Sequence, residues 1–134
     1  MKLLLTFLIL FTAVCRSELT NAEVVFEGLP SIKVTVFDNG KPKQETMNPS
    51  MSSEYAVRIV KVGNQYFWDS RESKPLNIIK SGAYTTYLAE DGSGYIRIAD
   101  EGIGAITGEV HRYMEQVTLR LNNITYHGFE IGTK

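Results

Sequence analysis

The sequence predicts a mainly β protein in which antiparallel hairpins form a small sandwich or barrel, with at most one short helix near 105–114. Several short stretches alternate apolar and polar residues, and glycine-containing turns separate them. A single stretch has apolar residues at helical spacing. A curled sheet with one packed helix is the alternative architecture.

The first 22 residues are expected to form an export signal rather than part of the domain. Met1-Lys2 is a short positive region, and Leu3–Val14 is an apolar run without a charge. Roughly a dozen apolar residues fit a signal-peptide core, whereas a membrane-spanning helix needs about 20. We expect cleavage between Cys15 and Ala22, which leaves a single β-rich domain at 23–134. An uncleaved anchor is the alternative.

The only cysteine bears on both localisation and chemistry. A lipoprotein signal through Cys15 is less expected, because Val14 and Thr12 match poorly the small and aliphatic residues that acylation signals carry. If cleavage falls at or beyond Cys15 without lipidation, the mature chain has no disulfide, thiol nucleophile or thiolate metal site. We therefore expect a periplasmic or secreted domain that an ordinary core stabilises.

The charge balance argues against two classes of partner. The formal net charge is −1, and removing the single lysine of the signal leaves −2. This value is too near neutral, and the charges too mixed, to indicate a nucleic-acid partner. No polybasic patch indicates a membrane surface, and we expect no integral membrane span after cleavage.

The N-terminal part of the domain is predicted to form a short strand followed by a two-stranded hairpin. Val24–Gly28 is a short apolar strand, and Gly28–Pro30 is expected to be a turn after it. Ile32–Val36 alternates apolar and polar residues, which is typical of a strand with one buried face. Asp38–Lys41 contains the Asn-Gly pair of a type I′ turn. The polar return strand, Lys43–Met47, carries a proline at its start and is expected to be an edge strand.

The middle of the chain is predicted to consist of further hairpins. Asn48–Ser53 and Asp69–Lys74 are expected to be loops, since both are polar and each contains or precedes a proline. The remaining strands are predicted at Tyr55–Val62, Tyr66–Trp68, Asn77–Lys80, Ala83–Ala89, Tyr95–Ala99 and Ile124–Ile131.

Two periodicities compete after residue 105. Apolar residues at Ile106, Val110 and Met114 have helical spacing, whereas Val117 and the two leucines that follow it alternate with polar residues as in a strand. We predict a short helix near Thr107–Met114, followed by a strand at 115–121.

The stretch from Tyr66 to Leu76 holds the only tryptophan and turns abruptly from aromatic to polar. Trp68, Asp69, Arg71 and Glu72 form a candidate binding surface, because an aromatic ring beside a carboxylate and a guanidinium suits stacking and bidentate hydrogen bonding. The alternative is that the tryptophan fills the core and the charged residues brace a loop. Its size favours burial, with the arginine and glutamate more exposed at its rim.

Other motifs carry weaker chemistry. Asp91–Gly94 lacks the ligand spacing of a calcium loop and the following helix of a phosphate loop, so we expect a plain hairpin turn. His111 and Glu115 share one face if the helix forms, and His127 is the only other histidine. One interpretation is a zinc site from these three residues, and an exposed helix pair is the preferred one. No cofactor or metal is expected.

The chain resembles small exported bacterial proteins of unassigned function. The resemblance is carried by Tyr66–Leu76, by Ser81–Ala83, by Asp91–Tyr95 and by the Ile124–Tyr126 ending. It implies export, and it implies no site residue.

These observations favour an exported, non-catalytic binding or interaction module of the cell envelope, with an unknown protein or carbohydrate as ligand. One alternative is a hydrolase that uses two carboxylates around Trp68 to act on envelope carbohydrate. The other is a structural component of an envelope assembly, which adds strands at the Lys43–Met47 edge.

Overall fold

The structure, a computed structural model, describes residues 22–104 and 110–131 and is mainly β, as the sequence predicts. Its strands are β1 (Glu23–Val36), β2 (Pro42–Thr46), β3 (Val57–Val62), β4 (Gln65–Trp68), β5 (Lys74–Ser81), β6 (Tyr84–Ala89), β7 (Gly94–Ala99), β8 (Arg112–Leu119) and β9 (Asn122–Glu130). The helix α1 spans Pro49–Glu54. Residues 1–21 of the expected export signal lie outside the described residues.

Strand β1 closes the sheet into an eight-stranded antiparallel barrel. Its first half pairs with β3, ending where Gly28 lies opposite Val57. Its second half pairs with β9, from Gly28 opposite Glu130 to Val36 opposite Asn123. Strand β2 pairs only with the end of β1 and lies outside the ring. It is therefore an edge strand, which confirms that prediction.

The predicted turn at Gly28–Pro30 is wrong, because β1 continues through it. The register shifts once between Val24 and Phe26 and again between Pro30 and Ile32. Such irregularities bend a strand and increase its twist, and a proline without an N–H is tolerated at them. The bends let one 14-residue strand serve both neighbours.

The hairpin between β1 and β2 has the predicted positive φ at Gly40, which is +80°. It is not the two-residue type I′ turn, however, since Val36 pairs with Pro42 across five intervening residues. The Gly40 N–H donates to the Phe37 carbonyl at 2.8 Å, and the Phe37 N–H donates to the Lys41 carbonyl at 3.0 Å. The single left-handed residue is therefore the glycine.

The structure corrects the helix that was predicted near 105–114. Residues 105–109 lie outside the described residues, and Arg112–Met114 belongs to strand β8. Pairing with both β7 and β9 satisfies the backbone N–H and C=O groups of β8. In a helix, hydrogen bonds within the segment would have satisfied them instead. A helix forms instead at the predicted loop Asn48–Ser53. The Asn48 side chain accepts the Met51 N–H at 2.9 Å, and a proline occupies the first turn.

The core lies inside the barrel and is built from inward-facing side chains of β1 and β3–β8. These are Phe26, Val57, Ile59, Trp68, Leu76, Tyr87, Ala89, Ile96, Ile98, Tyr113 and Val117. Trp68 is 1% exposed, which confirms the burial that was predicted from its size. In the described ranges, 22–104 and 110–131, no helix has the length and apolarity that crossing a membrane requires.

The connections define two ends of the barrel. At one, which we call the closed end, β4 passes to β5 through 69–73 and β6 passes to β7 through 90–93. The other end we call the mouth. There the turn 82–83 joins β5 to β6, and both the last residue of β7 and the first residue of β8 lie at this end. Trp68 lies at the closed end and Glu130 at the mouth.

Candidate functional site

The predicted site around Trp68 is joined to β8 by a buried carboxyl group. The Trp68 Nε1–H donates to Glu115 Oε2 at 2.8 Å, and Arg71 Nη2 donates to Glu115 Oε1 at 3.1 Å. Glu115 is only 1% exposed. The alternation of β8 turns this residue into the barrel. The sequence predicted a strand from Glu115 onwards, and the interpretation of Glu115 and His111 as an exposed helix pair is wrong. The three side chains fill the closed end.

The protonation of this cluster follows from its burial. Burial raises the pKa of the Glu115 carboxyl, and the charge and hydrogen bond of Arg71 and the bond from Trp68 oppose that rise. Burial by itself lowers the pKa of the Arg71 guanidinium, but the charge and hydrogen bond of Glu115, together with Tyr126, outweigh it and leave that pKa above its usual value. The guanidinium also lies 5.5 Å from the centre of the Tyr126 ring. Arg71 is therefore an internal brace as well as a rim residue.

The other two predicted site residues lie outside this cluster. Asp69 pairs with Arg58 at 3.4 Å, and both side chains are about one-third or more exposed. Glu72 is exposed and has a φ of +58°, in the turn between β4 and β5. The Ser70 hydroxyl accepts the Arg58 N–H at 3.0 Å. The structure thus brings Trp68 and Arg71 together, and ligand binding by this segment stays a prediction.

The turn at Asp91–Gly94 is the plain hairpin turn that was predicted. Asp91 Oδ1 accepts the Ser93 N–H at 2.9 Å, and its other oxygen lies 3.2 Å from Lys74 Nζ. The hydrogen bonds from the Ser93 hydroxyl and N–H, with Lys74, lower the pKa of Asp91 to about 2. The Asp91 carboxylate is therefore bonded to Ser93 of the same turn and to Lys74.

The three candidate zinc ligands are not brought together. His111 Nδ1 lies 2.6 Å from Glu130 Oε2 at the mouth, whereas Glu115 is four residues further along an extended chain, roughly 13 Å away. His127 points to the outside, opposite Met114. In the described part of the chain, no group of three or more His, Cys, Asp or Glu side chains could hold a metal ion.

The mouth of the barrel is a hollow of about 320 Å³ that the sequence did not indicate. Two tyrosines from neighbouring parts of the sheet line it, Tyr66 and Tyr87, with ring centres 5.4 Å apart in an edge arrangement. Burial raises the pKa of Tyr87, with smaller contributions from Tyr66 and Asp100. The Tyr87 hydroxyl is therefore a hydrogen-bond donor at neutral pH.

Charged groups surround these rings at the mouth. The His111 N–H donates to Glu130 Oε2 at 3.2 Å, in addition to the contact of its ring with the same oxygen. The Thr85 hydroxyl donates to Asp100 Oδ1 at 2.7 Å, and Lys80 lines the same hollow. The mouth thus combines acceptors, donors and aromatic rings. Neither this hollow nor the second one, on the outside of the barrel, is lined by the predicted site residues.

The mouth has no local sequence signal. Its lining comes from β1, β4, β5, β6, β7 and β9 and from the segment before β8, usually one or two residues at a strand end. Comparison with protein-family models, with curated proteins and with solved structures found nothing that matches this chain.

Proposed function

We propose that this chain is an exported, non-catalytic binding module that takes a small polyhydroxyl ligand, such as a monosaccharide, at the mouth of its barrel. One observation carries the proposal. The barrel is filled at the closed end by Trp68, Glu115 and Arg71, whereas the opposite end is a hollow lined by polar and aromatic side chains. Mouths of β-barrels are common ligand sites. The export part rests on the signal predicted at residues 1–22.

The size and lining of the mouth favour a sugar-sized ligand. A volume of about 320 Å³ is at the lower end of the range for small-molecule pockets. The half-buried Tyr66 supplies ring surface for the apolar face of a sugar, and Tyr87, which is almost fully buried, packs against it in an edge arrangement. Asp100 and Glu130 supply acceptors for its hydroxyl groups, and Lys80 supplies a donor.

The same contacts favour binding over hydrolysis. Glycoside hydrolysis uses one carboxyl group that gives a proton and a second that activates water or attacks the sugar. At the mouth, Glu130 is bonded to His111 and Asp100 to Thr85. Both carboxyl groups are thus occupied by neighbours that fix their orientation. Fixed acceptors suit recognition of hydroxyl groups.

Strand addition at β2 remains the structural alternative. Edge strands that carry proline and charged side chains resist pairing with another chain. Strand β2 begins with Pro42 and carries the Lys43–Glu45 ion pair, at 3.2 Å. These features disfavour an assembly built through this edge.

The test is a titration of the secreted chain with a panel of monosaccharides, followed by calorimetry and by thermal shift. For a sugar that binds, Asp100→Asn should weaken affinity about tenfold or more, because an amide replaces an acceptor with a donor at one position. Asp69→Asn is the matched control, since this carboxylate lies at the closed end. A panel without any binder, or equal affinity for Asp100→Asn and wild type, would refute the proposal. Release of a cleaved product from a disaccharide would support the hydrolase.

A further inference from the structure

A second hollow, of about 790 Å³, lies on the outside of the barrel and is independent of the mouth. We call it the outer groove. It runs across β7, β8, β9, β1 and β2, with Tyr84 of β6 at its edge. Among the residues that line it are Arg97, Arg112, Met114, His127, Phe129 and Ile32.

The strand register places these side chains on one face. Arg97 lies opposite Met114, and Met114 lies opposite His127. His127 in turn lies opposite Ile32, and one row towards the mouth Arg112 lies opposite Phe129. Residues directly opposite each other in a sheet point to the same side. The groove is therefore a continuous outer surface five strands wide.

Among the described residues that line the outer groove, two are arginines and none is acidic. Alternation turns the carboxyl groups of β8 and β9 inward, where Glu115 lies in the core and Glu130 at the mouth. The outward positions of β7, β8 and β9 hold Tyr95, Arg97, Ala99, Arg112, Met114, Gln116, Thr118, Asn123, Thr125, His127 and Phe129. In a chain with a net charge of −1, two arginines thus share a face on which these strands place no acid.

Arg97 and Arg112 lie on neighbouring strands in adjacent rows, and contacts of its own hold the Arg97 guanidinium. Arg97 lies over the Tyr95 ring at 5.3 Å, and its Nε–H donates to the Thr86 hydroxyl at 3.2 Å. Thr86 lies directly opposite Arg97 on β6, and Tyr95 lies on β7 one row further from Arg112. Neither contact therefore draws the Arg97 guanidinium towards Arg112. Separated cations suit a partner with several acid groups along a chain better than one with a single headgroup. The apolar side chains of Met114, Phe129 and Ile32 complete the lining.

We propose that the outer groove binds an extended, acidic segment of a partner protein, in which carboxylate and apolar side chains alternate. Arginine recognises carboxylates through its planar fork. Five strands span about 19 Å, which about six extended residues cover. A concave surface also fits a chain better than it fits a flat membrane.

The experiment measures fluorescence anisotropy of a labelled peptide, Glu-Leu-Glu-Leu-Glu-Leu, with the full secreted chain. Arg97→Gln and Arg112→Gln should each weaken binding about tenfold, and the wild-type affinity should fall as salt rises. Arg58→Gln is the matched control, because this arginine pairs with Glu27 and Asp69 elsewhere on the surface. Its affinity should equal that of the wild type, and circular dichroism confirms that each variant folds.

Several outcomes would overturn the proposal. Equal affinity of both arginine variants and the wild type would place the peptide elsewhere. Equal binding of a peptide with lysine in place of glutamate would remove the charge argument. Binding to vesicles of anionic phospholipid without binding to the peptide would assign the surface to a membrane. None of these results bears on the sugar titration, so the two proposals fail separately.

Discussion

Replacement of Trp68 by phenylalanine tests whether the hydrogen bond at the closed end contributes to stability. The variant keeps an aromatic ring but removes the indole N–H, which donates to Glu115 Oε2 at 2.8 Å. Glu115 is almost fully buried, so water cannot readily replace the lost donor. Leaving a buried acceptor unpaired costs about 1–3 kcal/mol.

The smaller ring also leaves space in the core. Trp68 is 1% exposed and belongs to the main apolar cluster, so its lost volume is not filled by solvent. We take roughly 1–2 kcal/mol for this packing loss, below the 3–5 kcal/mol typical of truncation to alanine. The two contributions together predict that Trp68→Phe lowers the free energy of unfolding by about 2–5 kcal/mol.

The measurement is urea denaturation followed by far-ultraviolet circular dichroism, because the variant no longer contains a tryptophan to report by fluorescence. Tyr84→Phe is the control. It also removes a polar atom from an aromatic side chain, but at a residue that is 51% exposed, and should change stability by less than about 0.5 kcal/mol.

A double-mutant cycle separates the bond from the packing. In a Glu115→Leu background the acceptor is already absent and the indole N–H has lost its partner, so Trp68→Phe should cost at most the packing part, about 1–2 kcal/mol. An equal cost of Trp68→Phe in both backgrounds would refute the claim that the bond stabilises the fold.

Two further predictions follow from the same structure. Burial raises the pKa of Glu115, so the folded protein holds this proton more tightly than the unfolded chain does, and the resulting stabilisation is full below about pH 4 and lost as pH rises through the raised pKa. Urea denaturation from pH 4 to 8 should show the wild type losing stability relative to Glu115→Gln, and parallel curves would contradict the shift. Gly40→Val should lower the free energy of unfolding by about 1 kcal/mol or more, because a β-branched residue is strained at a φ of +80°. An unchanged urea midpoint would show that this turn carries no such strain.

Short-range patterns in the sequence were enough to predict most of the strands. The alternation at Ile32–Val36 predicted a strand, and Asn39-Gly40 predicted the turn after it. Both depend on side-chain period and on the φ that a residue tolerates, which are properties of a few neighbouring residues. The burial of Trp68 likewise followed from its size.

Contacts between distant parts of the chain settled the rest. Helical and strand spacing overlap in 106–121, and only pairing with β7 and β9 selects the strand β8. The helix Pro49–Glu54 has six residues, too few for a periodic pattern, although its asparagine cap and proline were visible signals. The path of β1 through Gly28–Pro30 depends on two neighbours at once.

The candidate sites show the same division. The stretch around Trp68 was recognisable by its composition, but its partner Glu115 lies 47 residues away and faces inward only because β8 is a strand. The mouth takes a few residues from each of several strand ends, and the outer groove follows from the register of five strands. Side-chain types are local, whereas which of them meet depends on barrel closure, since strands that are distant in sequence become neighbours only when β1 pairs with both β3 and β9.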